Sequence, residues 1–144
     1  MANLKDCCKF NIHDDYYTQK KTFENLTPFI DKKLKIYEFC LLNSNEQSKK
    51  YLIELGYNVL SLDLFVPFKH LCVKLVSNIP FSNEIKKKML RKLHDLDKPF
   101  IIIMNSMNLF TKYFNEIFGD KEIYFIYPTS KINYDKYVNN KLVK

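Results

Sequence analysis

Between Leu34 and Asp63 the chain spells a strand, a helix, a glycine and a second strand, and no other stretch restricts the fold as strongly. Leu34-Lys35-Ile36-Tyr37-Glu38-Phe39-Cys40 is rich in β-forming residues and is predicted as the central strand. Asn45 is placed to cap a helix over Glu46–Leu55 that buries Tyr51, Leu52 and Leu55. Gly56 then occupies the position past the last turn, where a left-handed backbone stops a helix. Tyr57-Asn58-Val59-Leu60-Ser61-Leu62-Asp63 reads as a second strand closed by an acid. Two strands joined through a helix within ~30 residues form a βαβ unit, which requires a parallel pair and a right-handed crossover.

Leu64–Lys69, broken by Pro67, leads to a third strand, Leu71–Ser77, that stops at Asn78-Ile79-Pro80-Phe81. Pro80 has no N–H for a ladder, so the backbone must leave the sheet there, at the carboxyl edge where open α/β sheets bind ligands. The same tetrapeptide also suits a plain polar strand end followed by a turn. Ser82 to about Asp95 is predicted as a basic amphipathic helix, with Ile85, Met89, Leu90 and Leu93 inward and Lys86, Lys87, Lys88, Arg91 and Lys92 mostly outward. A charge run of this kind serves either as a solvated face or as a phosphate contact. Asp97-Lys98-Pro99 punctuates, Phe100–Met104 is a continuous apolar strand, and Asn105 or Ser106 caps a helix over Met107–Phe118 that Gly119 ends. Glu122–Tyr127 is predicted as a further strand, stopped by Pro128. Ahead of the βαβ unit, Thr18 is placed to cap a helix from about Lys20 to Phe29, with Phe23, Leu26 and Ile30 at helical spacing. Residues 1–13 read as an irregular leader, 14–134 as one domain and 135–144 as a polar tail.

The partner follows from charge. A formal +7 suits a polyanion such as DNA or RNA, although coding bias toward Lys, Asn, Ile and Tyr raises charge without selection for it. Arg91 is the only arginine, so contact with the phosphate backbone is expected rather than arginine readout of guanine edges. A protein partner or a homo-oligomer is the other expectation, resting on the aromatic-rich helix Met107–Phe118. No apolar run approaches the ~20 residues of a membrane span, and Met1–Cys8 lacks a signal-peptide core, so a soluble intracellular protein is expected. Cys7, Cys8, Cys40 and Cys72 are irregularly spaced and predict reduced thiols; Cys7, Cys8 and His13 lack a second ligand pair, so no metal is expected. His13, His70 and His94 neighbour no nucleophile elbow, which leaves a hydrolase triad unsupported.

Asn78-Ile79-Pro80-Phe81 resembles the Asn-Pro-Pro-aromatic motif of the small adenine-N6 DNA methyltransferases of phages and large DNA viruses. The resemblance implies that Asn78 and the carbonyl of residue 79 accept hydrogen bonds from the base amine while Phe81 stacks on the flipped base; Asn78, Pro80 and Phe81 would be catalytic, and Ile79 departs from the first proline. Asp15, Tyr17 and Thr18 match an Asp-x-Tyr-Thr-Pro stretch that touches the cofactor, with Gln19 in place of the proline. Lys50–Val59, Asp97–Met104, Thr111–Phe114 and Phe118–Lys121 are also similar, and the likeness runs from about Asp14 to Tyr134. It implies an α/β fold with a three-layer, Rossmann-like methyltransferase sheet, mostly parallel, of about five strands with flanking helices. It also implies S-adenosylmethionine held by Tyr17, Thr18, Glu38 and Asp63, and for a viral protein a place in host cytoplasm or virion.

One part of the pattern is missing. The family places a glycine-rich turn after its first strand, where the backbone must approach the cofactor without a Cβ in the way. Here Glu38-Phe39-Cys40-Leu41-Leu42-Asn43-Ser44-Asn45-Glu46 contains no glycine, and the chain's two glycines, Gly56 and Gly119, are both placed as helix terminators. The expectation is therefore a degenerate, inactive, methyltransferase-like pseudoenzyme that binds no cofactor and serves as a nucleic-acid- or protein-binding or structural component. The alternative is an active S-adenosylmethionine-dependent DNA adenine-N6 methyltransferase.

Overall fold

A computed structural model describes residues 16–38, 47–61, 73–78, 83–138 and 141–143. Seven strands and four α-helices lie within them: β1 Tyr16–Thr18, α1 Lys20–Leu26, β2 Lys35–Glu38, α2 Gln47–Glu54, β3 Asn58–Ser61, β4 Val73–Asn78, α3 Asn83–Leu96, β5 Phe100–Ile103, α4 Lys112–Phe118, β6 Tyr134–Val138 and β7 Lys141–Val143. Short 3-10 turns cover Thr27–Phe29 and Ser106–Phe110.

The strands form two sheets. One is parallel throughout, in the order β3-β2-β4-β5, with Ile36 opposite Val59, Tyr37 opposite Leu75 and Val76 opposite Ile101. The other is antiparallel, in the order β1-β6-β7, with Tyr17 opposite Asp135 and Tyr137 opposite Leu142. This corrects the expected single, mostly parallel sheet of about five strands. The Rossmann-like and methyltransferase-like descriptions, with the S-adenosylmethionine site they imply, rested on that single sheet and lose its support.

Two local causes produce the difference. Glu122–Tyr127, the expected fifth strand, belongs to neither sheet. The tail expected to be polar coil supplies β6 and β7 instead, because Tyr134-Asp135-Lys136-Tyr137-Val138 and Lys141-Leu142-Val143 carry enough β-forming side chains to pair once β1 offers an edge. Thr18 is drawn into β1, so Gln19 takes the cap position of α1, without a side-chain cap bond. Pro28 has no N–H for continued α-helix, and that segment tightens into a 3-10 turn. The expected helix Met107–Phe118 is broken at Thr111: Asn105 Oδ1 accepts from the Met107 N–H at 2.9 Å, and Thr111 Oγ1 accepts from the Phe114 N–H at 3.4 Å to start α4.

β2 lies between β3 and β4 and is buried on both faces. Its alternation divides the core. Ile36 joins Phe23, Leu26, Leu52, Tyr57, Val59 and Ile103 on the face covered by α1 and α2. Tyr37 joins Ile85, Met89, Leu90, Leu93, Phe114, Ile117 and Phe118 on the face covered by α3 and α4. The α2 terminus shows how the chain is turned into register. Gly56 has φ +89, its N–H bonds the Ile53 carbonyl at 2.9 Å, and the Tyr57 N–H bonds the Leu52 carbonyl at 3.1 Å, while Tyr57 and Leu52 bury together. A Cβ at Gly56 would meet only Lys32 Nζ at 3.5 Å, so space is not limiting and backbone conformation is. Gly56→Ala is expected to cost about 1–2 kcal/mol in urea unfolding, the penalty of holding an L-residue left-handed.

Candidate functional site

α3 is the longest helix among the described residues, with fourteen residues, and its two faces do different things. Glu84 lies in its first turn, favourable to the helix dipole, and Asp97 at φ +48 ends it, its N–H bonding the His94 carbonyl at 3.2 Å. Ile85, Met89, Leu90 and Leu93 are buried against α4 and β2.

The five expected cations separate into three groups. Lys86 is buried at 7% exposure, on the inward line that residues 86, 90 and 93 trace at helical spacing. Its Nζ donates to Asn108 Oδ1 at 3.0 Å and to Asn83 Oδ1 at 3.4 Å. Asn108 Oδ1 also accepts from the Tyr113 hydroxyl at 2.6 Å, and Asn108 Nδ2 donates to the Asn105 carbonyl at 2.7 Å. This buried network clamps the 3-10 turn Ser106–Phe110 onto the start of α3, so Lys86 fixes structure. Asn108→Leu removes an acceptor shared by Lys86 and Tyr113 and is expected to cost about 1–3 kcal/mol, read as a lowered urea midpoint.

Lys87 is half-buried, 3.8 Å from Glu84 Oε1 and 5.4 Å above the Tyr113 ring, and is largely committed there. Lys88 and Arg91 are exposed and Lys92 is half-exposed. Spaced i, i+3 and i+4, these three share one face, and they form no ion pair among the described residues. A guanidinium such as that of Arg91 is a planar fork able to donate two N–H groups to one oxyanion, and lysines such as Lys88 and Lys92 add point charge.

The other expected residues lie elsewhere. The order in which strands are added reverses between β2 and β4, since β3 follows on one side of β2 and β5 on the far side of β4. Glu38 ends β2 and is buried, paired in register with Ser61. Asn78 ends β4 opposite Ile103, three residues past the last β2–β4 pair, Tyr37 with Leu75. Both therefore reach the carboxyl edge at the reversal, which is the place where such sheets bind ligands. Tyr17 and Thr18 belong to the antiparallel sheet, opposite Asp135 and Tyr134. Thr18 is 2% exposed, and its Oγ1 has no hydrogen-bond partner among the described residues. Asp63, Pro80, Phe81 and the glycine-free run 39–46 lie outside the described residues, as do the four cysteines.

Tyr17 and Thr18 thus stand on one sheet and Glu38 on another, and Thr18's hydroxyl is sealed from solvent. Sequence reading missed Asn108 and Tyr113, and only the inward spacing of Lys86 pointed to them. Among the described residues no group of His, Cys, Asp and Glu could hold a metal, and no helix is long and apolar enough to cross a membrane. No protein-family model matches the chain, and no curated protein or solved structure matches it.

Proposed function

We propose that this chain is a non-enzymatic nucleic-acid-binding module that grips the phosphate backbone with the outward face of α3. The observation that carries the reading is Lys88, Arg91 and Lys92 sharing that face without acidic partners among the described residues, on a helix whose other side is locked into the core. Their charge is available to a polyanion at little cost in folding. The formal +7 of the chain adds attraction at longer range, and the single arginine argues for sequence-tolerant contact. On this reading the protein acts where nucleic acid is found, inside a cell or a virion. Duplex DNA of arbitrary sequence should bind at about 50 mM salt and be largely released by about 200 mM. Absence of retention at the lower salt would remove the reading.

A second reading has one observation in its favour. Asn78 ends β4 at the strand-order reversal, where a base amine would meet it if the chain transferred a methyl group from S-adenosylmethionine, as the small viral adenine methyltransferases do. Against it stand the glycine-free run after Glu38 and the placement of Thr18 in a separate sheet. Isothermal titration with S-adenosylmethionine or its demethylated product separates the two. Saturable micromolar binding favours the enzyme, and no heat of binding favours the module.

A further inference from the structure

We propose that the open edge of β5 and the extended segment Glu122–Tyr127 form the surface on which two copies of this chain associate. This assignment is independent of the nucleic-acid reading. Among the described residues β5 is the edge of the parallel sheet and pairs only with β4, yet its sequence, Phe100-Ile101-Ile102-Ile103, is that of a strand covered on both faces. At the edge only Ile103 is buried and the other three are half-buried. Natural sheets blunt such edges with lysine, proline within the strand, a bulge or a covering element, and β5 carries no charge or proline within it.

Glu122–Tyr127, whose sequence predicts a strand, belongs to no sheet among the described residues. The Phe125 and Tyr127 rings stand 6.3 Å apart, as alternate residues of an extended chain do. Tyr124 is 81% exposed and Tyr127 75%, with Phe125 and Ile126 between them also exposed, so apolar surface faces water on both sides of the segment. Residues 122–133 make no backbone–backbone hydrogen bond among the described residues. The residue just ahead of the segment is anchored beside the entry to β5. Lys121 Nζ bonds Asp97 Oδ1, ahead of β5, at 2.8 Å; Ile123 packs on the α3–α4 side of the sheet and Ile132 on the α1–α2 side. The chain therefore crosses from one face to the other between those two anchors.

Charge and symmetry select the occupant. Residues 99–111 contain no charged side chain and residues 122–130 only Glu122, in a chain of formal charge +7, so this surface offers a polyanion nothing to grip. Each copy carries both halves of a match, an edge and a segment that are both unpaired among the described residues. A twofold pair in which each segment covers the other copy's edge satisfies both at once and closes. A foreign strand on the edge would leave Tyr124–Tyr127 in water.

Sedimentation velocity on the full chain, over a range of concentrations and at about 0.1 and 0.5 M salt, tests this. The expected result is a concentration-dependent dimer that persists at the higher salt. Tyr124→Lys with Ile126→Lys, both at exposed positions, should raise the dimer dissociation constant roughly 30-fold or more without lowering the unfolding midpoint, since each lysine must be desolvated to enter the contact. A wild-type monomer at every concentration overturns the proposal, as does a dimer that the double variant leaves unchanged. Amide-exchange protection of residues 122–127 in the dilute monomer overturns it too, because the segment would then be pairing within its own chain.

Discussion

Replacing Leu90 by alanine is expected to cost about 2–5 kcal/mol of folding stability, measured as a lowered urea midpoint with an unchanged slope. Leu90 is fully buried in the middle of α3, in the cluster it shares with Tyr37, Met89, Leu93 and Phe114. Truncating it removes apolar contact with α4 and β2 and leaves a cavity that neighbours on two helices and a strand can only partly fill. Against a typical total of about 5–15 kcal/mol, that is a large share of what holds the domain together. The neighbouring position on the opposite face provides the control: Lys88→Ala should change stability by less than about 0.5 kcal/mol. A loss below about 1 kcal/mol for Leu90→Ala would mean that α3 is not anchored by this face, and the rigid display of its cations would lose its basis.

The second large effect is on binding. Exchanging Lys88, Arg91 and Lys92 together for alanine should weaken duplex binding roughly 10²- to 10³-fold at about 0.1 M salt, because three phosphate contacts and their counterion release are lost. Stability should be nearly unchanged, since alanine is a strong helix former and none of the three makes an ion pair among the described residues. Lys86→Ala is the informative contrast. Its ammonium is hydrogen-bonded to Asn108 and Asn83 inside the fold, so its loss should appear in unfolding rather than as a selective loss of affinity.

The parts of the fold that local chemistry determines were legible in the sequence. The β2–α2–β3 unit, the glycine stop at Gly56 and the inward stripe Ile85, Met89, Leu90 and Leu93 follow from spacing and turn residues alone. The sheet assignment was not legible, because Glu122–Tyr127 has the composition of a strand and composition does not name a neighbour. Tyr134–Val138 likewise looked like tail because its partner, β1, is only three residues long and more than a hundred positions away. The candidate site divides the same way. Lys86 belongs with the outward lysines by residue type, whereas its spacing from Leu90 and Leu93 places it inward, and its partner Asn108 comes from a 3-10 turn that the sequence pattern merges into one long helix. The aromatic residues divide in the same way. The segment expected to supply an association face buries Phe114, Ile117 and Phe118 but exposes Met107 and Phe110, and further exposed rings lie on Tyr124–Tyr127.

The nucleic-acid reading stands most directly on the salt dependence of duplex affinity, followed by fluorescence anisotropy for the wild-type chain and for the variant lacking the Lys88, Arg91 and Lys92 charges. The expected result is a linear fall of log affinity with log salt in the wild type and a slope shallower by about 2.7 in the variant, the share of three phosphate contacts. Two lines of equal slope would place the contact elsewhere on the molecule and contradict the assignment of α3 as the nucleic-acid face.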